Sequence, residues 1–305
     1  MKRNGPFPGR LGWIKPAGRI TFGGALCLTL VKSGTLAKPM RRIGWVYGQV
    51  QDRLDLDGAS LFETTHRRRT EVPIHEHEFP YLALLINGKY REPSSRGDSH
   101  FVPFSAVYHP EYTRHAGVVE EHGCRFFTLE LEPCWLRKMG AKLPHDSVFD
   151  WHGQRFLWLM LRLFREYRDE ESRFSLTMES LKLEALAALG QSKNDGDKEP
   201  ASAWPRLREK MHDSFREPLR IGDLAGAAGV HPVHAARLFR RRTGLTPGEY
   251  LQRLRAQHAC RLMQQPGRSL CEISYDSGFC DQSHMNRVLR RFAQCSPGTI
   301  RMLTQ

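Results

Sequence analysis

Along the chain the period of the apolar positions changes, and each change marks a different class of element. Between Leu61 and about Leu131, short apolar runs such as Tyr81–Ile86, Phe101–Val107 and Arg125–Leu131 are separated by Asn87-Gly88, Pro93-Ser94-Ser95 and Pro110. Runs of this length bounded by turn residues predict strands. Asn-Gly after an apolar run predicts a hairpin, because both residues tolerate positive φ. Such strands at short spacing predict an antiparallel barrel or sandwich. From Gln154 the period is helical: Phe156, Met160, Leu163, Phe164 and Tyr167 fall on one stripe. A second helix over Ser175–Leu189 carries Met178, Leu181, Ala185, Leu186 and Leu189. The charged stretch 168–173 between them predicts a helical hairpin. Its stripe either packs on the barrel or forms a dimer seam. Residues 191–203 have almost no apolar content and predict an interdomain linker.

The last hundred residues repeat. Arg237-Leu-Phe-Arg-Arg-Arg-Thr-Gly-Leu-Thr-Pro-Gly248 lies 50 residues before Arg287-Val-Leu-Arg-Arg-Phe-Ala-Gln-Cys-Ser-Pro-Gly298, and Leu224–Val230 lies 49 residues before Ile273–Phe279. Two equivalent supersecondary units follow. Each has the pattern of a helix-turn-helix: a short apolar-periodic helix, a glycine suited to the left-handed C′ position (Gly229, Gly278), then a second helix opened by Pro232 or capped by Asp281. In the second helices Ala235, Leu238 and Phe239, and Met285, Val288 and Leu289, face inward. That leaves Val233, His234, Ala236, Arg237 and Arg240 outward in one unit, and Gln282, Ser283, Asn286, Arg287 and Arg290 in the other. An α-helix fits the major groove. Arg can bind guanine O6/N7, Gln or Asn adenine N6/N7, and small residues the thymine methyl. A long helix over Pro247–Gln265 would hold the two readers at a fixed separation, suited to adjacent major-groove segments of double-stranded DNA.

Composition then locates the charge. The 305 residues carry a net +13. Residues 1–58 hold ten basic against three acidic residues, residues 59–203 nineteen against twenty-two, and residues 204–305 seventeen against eight. The surplus on the last third suits phosphates, with Arg241, Arg242 and Arg291 beside the readers. A basic face serving only solubility has the same composition, and the paired motifs decide against it. Apolar residues at 40% and charged ones at 26% exclude a disordered chain, a collagen-like fibre and an integral membrane protein. The seven cysteines include no C-x-x-C pair and are expected as reduced, mostly buried hydrophobes of a cytoplasmic protein. Ile20–Val31 follows a basic start as in a signal peptide, but Gly23, Gly24, Thr21 and Thr29 break its apolar core, and it is too short to span a bilayer. Residues 1–39 show no sustained period, and translation starting at Met40 is an alternative.

Residues 205–305 resemble the DNA-binding domain of the AraC/XylS family of transcriptional regulators. The resemblance is strongest over Ser269–Phe292 and Ser296-Pro297-Gly298. Ala236, where the family often has a polar reader, and Leu289, where it usually has Phe, depart from the pattern. The resemblance implies promoter DNA and RNA polymerase as partners, and an N-terminal domain that senses a small molecule or mediates dimerisation. In the middle of the chain, His75-Glu-His77 with Tyr81 and Gly88 is similar to the first cupin motif, with Tyr81 in place of the acidic ligand. Pro110-Glu-Tyr-Thr-Arg-His115 is similar to the second, with Tyr112 in place of Gly.

The expected fold class is therefore α+β in two domains. Residues 1–58 form a poorly structured basic extension, 59–150 a cupin-like antiparallel β-barrel, 151–190 the helical hairpin, 191–203 the linker and 204–305 an all-α domain of two helix-turn-helix units. His75, His77, Tyr81 and His115 are expected to line an effector pocket, without a metal or other cofactor, or else to be satisfied core residues. The functional expectation is a cytoplasmic, non-enzymatic, ligand-responsive regulator, with a homodimer suggested by the hairpin and no membrane partner. The alternatives are a metal-dependent cupin enzyme fused to a DNA-tethering domain and a non-specific nucleoid-type protein.

Overall fold

The computed structural model describes residues 47–94, 97–150, 156–171, 173, 175–190 and 203–304. The expectations for residues 1–46, and for the linker apart from Ala203, lie outside the described residues.

Among the described residues eight strands come first: β1 (Gln49–Leu56), β2 (Ala59–His66), β3 (Glu71–His75), β4 (Tyr81–Glu92), β5 (Ser99–Phe101), β6 (Ala106–His109), β7 (His115–Leu131) and β8 (Val148–Asp150), with α1 (Pro133–Lys138) between the last two. All pairings are antiparallel, in the order β1-β2-β7-β4-β6-β8, with β3 on β7 and β5 on β4. The sheet begins ten residues before the expected boundary at 59, because β1 already pairs with β2 from Gln49. The strand was hard to recognise because only Leu54 and Leu56 are buried in it, amid Asp52, Arg53 and Asp55. Arg53 Nη2 donates to Ser60 Oγ (2.7 Å) on the neighbouring strand, so the charges are cross-strand partners rather than a loose tail.

Asn87-Gly88 is not a hairpin turn. It lies inside β4, where the register against β7 shifts between Leu85 and Asn87 and again between Gly88 and Tyr90. Gly88 has φ +83°, and a β-carbon there would overlap the carbonyl oxygen of Gly123. The pair thus supplies the left-handed residue of a bulge at a close approach of two strands, the same backbone need that a turn would have. A bulge adds a residue and flips which face later side chains occupy. Before it, Tyr81 and Ala83 line a pocket while Leu82, Leu84 and Ile86 join the core on the opposite face. After it, Tyr90 and Glu92 line the pocket.

The helices follow: α2 (Leu157–Arg168), α3 (Leu176–Gly190), α4 (Ala203–Ser214), α5 (Ile221–Ala228), α6 (Pro232–Thr243), α7 (Pro247–Met263), α8 (Leu270–Asp276), α9 (Gln282–Ala293) and α10 (Pro297–Thr304). The α2 N-terminus has no cap of its own. Buried Asp150 supplies it, its Oδ2 accepting from Phe156 N and Leu157 N at 2.9 Å each. The wide α2 stripe is used within this chain. Phe164 and Tyr167 meet Phe127 of the sheet, Trp158 meets Phe292 of α9, and α3 packs alongside. Among the described residues of the hairpin, the large apolar side chains left exposed are Leu176 and Leu183 of α3. Among the six described cysteines, 124, 260 and 295 are buried, while 134, 271 and 280 are exposed, so burial is not their common role. No described helix is long and apolar enough to cross a membrane.

The two helix-turn-helix units are not held alike. The first (α5, α6, with α4 and the start of α7) has its own core around Leu207, Leu224, Phe239 and Tyr250. The second shares one apolar core with the helix face of the sheet and with α2 and α3, running from Leu61 and Phe127 through Trp158 to Met285, Leu289 and Ile300. The sheet, α2, α3 and the second unit thus pack on one core, while the first unit packs on a core of its own. Polar grips reinforce the junction: Gln257 Nε2 donates to Phe104 O (2.5 Å), Arg261 Nε to Pro103 O (2.9 Å), Gln264 Nε2 to Ile86 O (2.5 Å) and Arg125 Nη2 to Leu303 O (3.0 Å). Gln257 is buried. We expect Gln257→Ala to lower stability by about 1–3 kcal/mol, the usual loss when a buried hydrogen bond is broken. Urea unfolding of the full chain measures it, and an unchanged midpoint would show that the bond contributes nothing.

Candidate DNA interface and ligand pocket

The turn chemistry of the first unit is set by Gly229, at φ +67° and ψ +35°, which ends α5 and lets Val230 N reach Ala225 O at 3.0 Å. Pro232 opens α6 at its first turn, and the His231 side chain accepts from Val233 N. In the second unit Gly278 takes φ +80°, with Phe279 N donating to Ser274 O at 3.0 Å, and the Asp281 carboxylate accepts from His284 N at 2.6 Å. Different caps therefore start two helices that share one pattern of buried and exposed positions. Val233, Arg237, Arg240, Gln282, Ser283, Arg287 and Arg290 are exposed, while His234, Ala236 and Asn286 are half-buried. Ala235, Leu238 and Phe239 on α6, and Met285, Val288 and Leu289 on α9, are buried. The inward sets match fifty residues apart, and on the outward face Arg237 is equivalent to Arg287 and Arg240 to Arg290.

Two details differ from the sequence expectation. Asn286 Oδ1 is enclosed without a hydrogen-bond partner among the described residues, so its acceptor is not presented outward. Arg291, expected on phosphate, instead donates to Glu249 Oε1 at 3.0 Å. Glu249 also completes the capping box of α7 with Thr246, whose backbone and side-chain hydrogen bonds hold its carboxyl below the usual carboxylate range. Arg291 thus ties the second reading helix to the bridging helix. His284, at the position matching His234, was overlooked in the sequence. Its half-buried ring stands edge-on to Phe279 of the turn, at 5.3 Å.

On the other face of the sheet a pocket of about 600 Å³, its mouth included, is lined by aromatic and hydroxyl side chains and by His66, His75, His77, Tyr81, Glu92, His115 and Glu130. All four sequence-predicted residues come together in it. His75 and His115 are cross-strand partners on β3 and β7. His75 Nε2 is 3.1 Å from His77 Nε2, and Tyr81 Oη is 3.1 Å from His115 Nε2. The sequence missed His66, Glu92, His109 and Glu130. Glu92 reaches the site only because of the bulge, and its Oε1 lies 3.3 Å from His109 Nε2. Among the described residues no lysine or arginine lines the pocket.

Burial lowers the pKa of His66 and His115 from 6.5 to about 4, helped by the like charge of His75 on the first and of His109 on the second. His212 and His258, between the helices of the C-terminal region, are lowered to about 4 by burial and by nearby arginines. Burial also raises the Tyr81 phenol well above its usual range. The four rings stay neutral when folded and protonate near 6.5 when unfolded, so the unfolded chain binds more protons between those values. Stability should therefore be level above about pH 7 and fall progressively as pH drops from 6.5 towards 4. Thermal unfolding midpoints between about pH 4.5 and 8 test this, and a flat profile would contradict it.

A family model described as a helix-turn-helix domain (HTH_18) matches residues 224–302. The chain is 37% identical over 93 residues to the HTH-type transcriptional regulator GlxA of Rhizobium meliloti (strain 1021), which is 30% of this chain and 29% of that protein. It is 30% identical over 246 residues to the HTH-type transcriptional activator RhaS of Escherichia coli O1:K1 / APEC, covering 76% of this chain and 88% of that protein. The chain thus spans under a third of GlxA and most of RhaS. Among solved structures, ToxT from Vibrio cholerae O395 aligns over 82% of this chain and 99% of its own at 11% identity, with a TM-score of 0.36.

Proposed function

Because this chain belongs to the AraC/XylS family of DNA-binding transcriptional regulators, we propose that it reads two adjacent major-groove segments of promoter DNA through α6 and α9, under the control of a small molecule in the sheet pocket. The observation that carries the first half is the matched outward surface of the two helices, with Arg237 and Arg287 equivalent on a shared scaffold. The α7 helix, 17 residues and so about 25 Å long, separates them. The remaining readers are Val233, His234, Ala236 and Arg240 on one helix and Gln282, Ser283, Asn286 and Arg290 on the other.

The control half rests on connectivity. The strands that carry the pocket, β4 and β6, also carry or adjoin the carbonyls of Ile86, Pro103 and Phe104 that Gln257 and Arg261 of α7 and its C-cap Gln264 hold. A ligand touching Tyr81, His75, His77 or His115 would bias that junction and, through α7, the spacing of the readers. RNA polymerase is the partner on the DNA, and a homodimer would use the apolar residues α3 leaves exposed. The setting is the cytoplasm.

Mapping the sites bound by the full chain across its genome, then footprinting one of them, tests the reading. Protection of two segments about one helical turn apart, altered by the small molecule whose genes adjoin the site, is expected. Binding that fails to distinguish such a site from random DNA at physiological salt would favour a non-specific nucleoid role instead.

A further inference from the structure

We infer that the pocket holds one divalent first-row transition-metal ion on His75, His77 and His115, although the sequence alone leads to the expectation of a metal-free site. The candidate donor nitrogens of the three rings lie within 4.8 Å of one another. A carbonyl oxygen only accepts, so His75 Nδ1, 2.9 Å from Pro73 O, and His115 Nδ1, 3.1 Å from Thr113 O, each carry the ring proton. Their Nε2 atoms are then bare lone pairs, the state in which imidazole binds a metal. The Nδ1-to-carbonyl brace is the one that fixes such ligands in orientation. The 3.1 Å between His75 Nε2 and His77 Nε2 is close to the about 3.4 Å that separates two nitrogens bound to one tetrahedral ion.

The departure at Tyr81 is compensated from elsewhere in the chain. A neutral phenol replaces the carboxylate expected there, but the bulge in β4 brings Glu92 in. With His109 and His115, Glu92 forms a second donor group whose atoms also lie within 4.8 Å of one another, so the two groups share His115. A buried carboxylate beside three imidazoles, with no lysine or arginine among the described residues that line the pocket, favours a cation. Nitrogen donors without thiolate suit zinc, nickel, cobalt or iron rather than magnesium or calcium. Three protein ligands leave a coordination position for water or a pocket ligand. The inference shares its location with the proposed effector pocket and owes nothing to the DNA reading. Metal uptake is measured without DNA, so either can fail alone.

The test uses untagged full-length protein stripped with a chelator, then titrated with Zn²⁺ by calorimetry and with Co²⁺ by visible absorption. One ion per chain is expected, with ligand-field bands from Co²⁺, no thiolate charge-transfer band, and a higher unfolding midpoint with Zn²⁺. His75→Ala and His115→Ala should abolish this uptake, Glu92→Gln should weaken it about 10–100-fold, and His122→Ala, an exposed position outside both groups, should leave it unchanged. If either alanine variant loses its cooperative unfolding transition, His77→Gln at its half-exposed position carries the test, with at least tenfold weaker binding expected. No stoichiometric uptake by folded wild-type protein, or uptake that survives in the folded His variants, overturns the inference.

Discussion

Replacing Arg237 and Arg287 together by alanine should weaken binding to a cognate site by roughly 2–6 kcal/mol, at ~1–3 kcal/mol for each base-reading arginine. Both side chains are exposed at equivalent positions, one turn into α6 and α9. Neither has an ion-pair partner among the described residues that would have to be broken first. Each single change should relax discrimination at one base position, and the two positions should lie about one helical turn of DNA apart. The losses should add, because the two readers contact separate DNA segments and share no partner. Arg291→Ala should behave differently. It removes the tie to Glu249, so it should loosen the second unit and weaken binding across sequences without relaxing discrimination at any one base. Gel-shift titration against a site and its single-base variants separates these outcomes. An Arg287→Ala protein with the wild-type footprint and base preferences would remove α9 from the interface.

The helix-turn-helix pair was legible in the sequence because each of its devices is local. Gly229, Pro232, Gly278 and Asp281 act on the turn in which they sit, and an apolar period on a helix reveals its buried face wherever its partner lies. The junction between the two halves was not legible, for the opposite reason. Gln257 and Arg261 on α7 and Gln264 at its C-cap fall at i, i+4 and i+7, a polar stripe that sequence pattern assigns to solvent. Each instead donates to a carbonyl of a chain segment more than 150 residues away. Burial lowers the Arg261 pKa to about 10, which marks how far from a solvated face that stripe is. Phe104 shows the same limit. It adopts φ +62° without being glycine, held by its N–H to Leu85 O and its carbonyl to Gln257, so tertiary partners and not local preference fix it. The four residues that motif spacing singled out lie together in one pocket. Their acidic neighbour did not show itself, because motif spacing presumes an unbroken strand.

That break in β4 is the basis of the second large effect. Gly88→Val should destabilise the full chain by roughly 2–6 kcal/mol. About 1–3 kcal/mol comes from holding a β-branched residue at φ +83°, and ~1–3 from overpacking against backbone. The backbone in question cannot swing aside: the new β-carbon would overlap Gly123 O and stand 2.7 Å from Cys124 Cα, and Gly123 is itself at φ +74° beneath His66 O. Against a typical total of 5–15 kcal/mol the loss is large. It should appear as a urea midpoint well below that of Gly97→Val, a control at a positive-φ glycine with open space around it. Equal midpoints would mean that strand contact does not constrain the bulge. The consequence reaches the pocket, because Tyr90 and Glu92 face it only by virtue of the residue that the bulge inserts. A chain that relieved the strain by straightening β4 would turn the Glu92 carboxylate out of the pocket and towards the apolar core of α2 and α3. Burying an unpaired carboxylate there is costly, so partial relaxation is blocked, and loss of the bulge should mean loss of the fold around it.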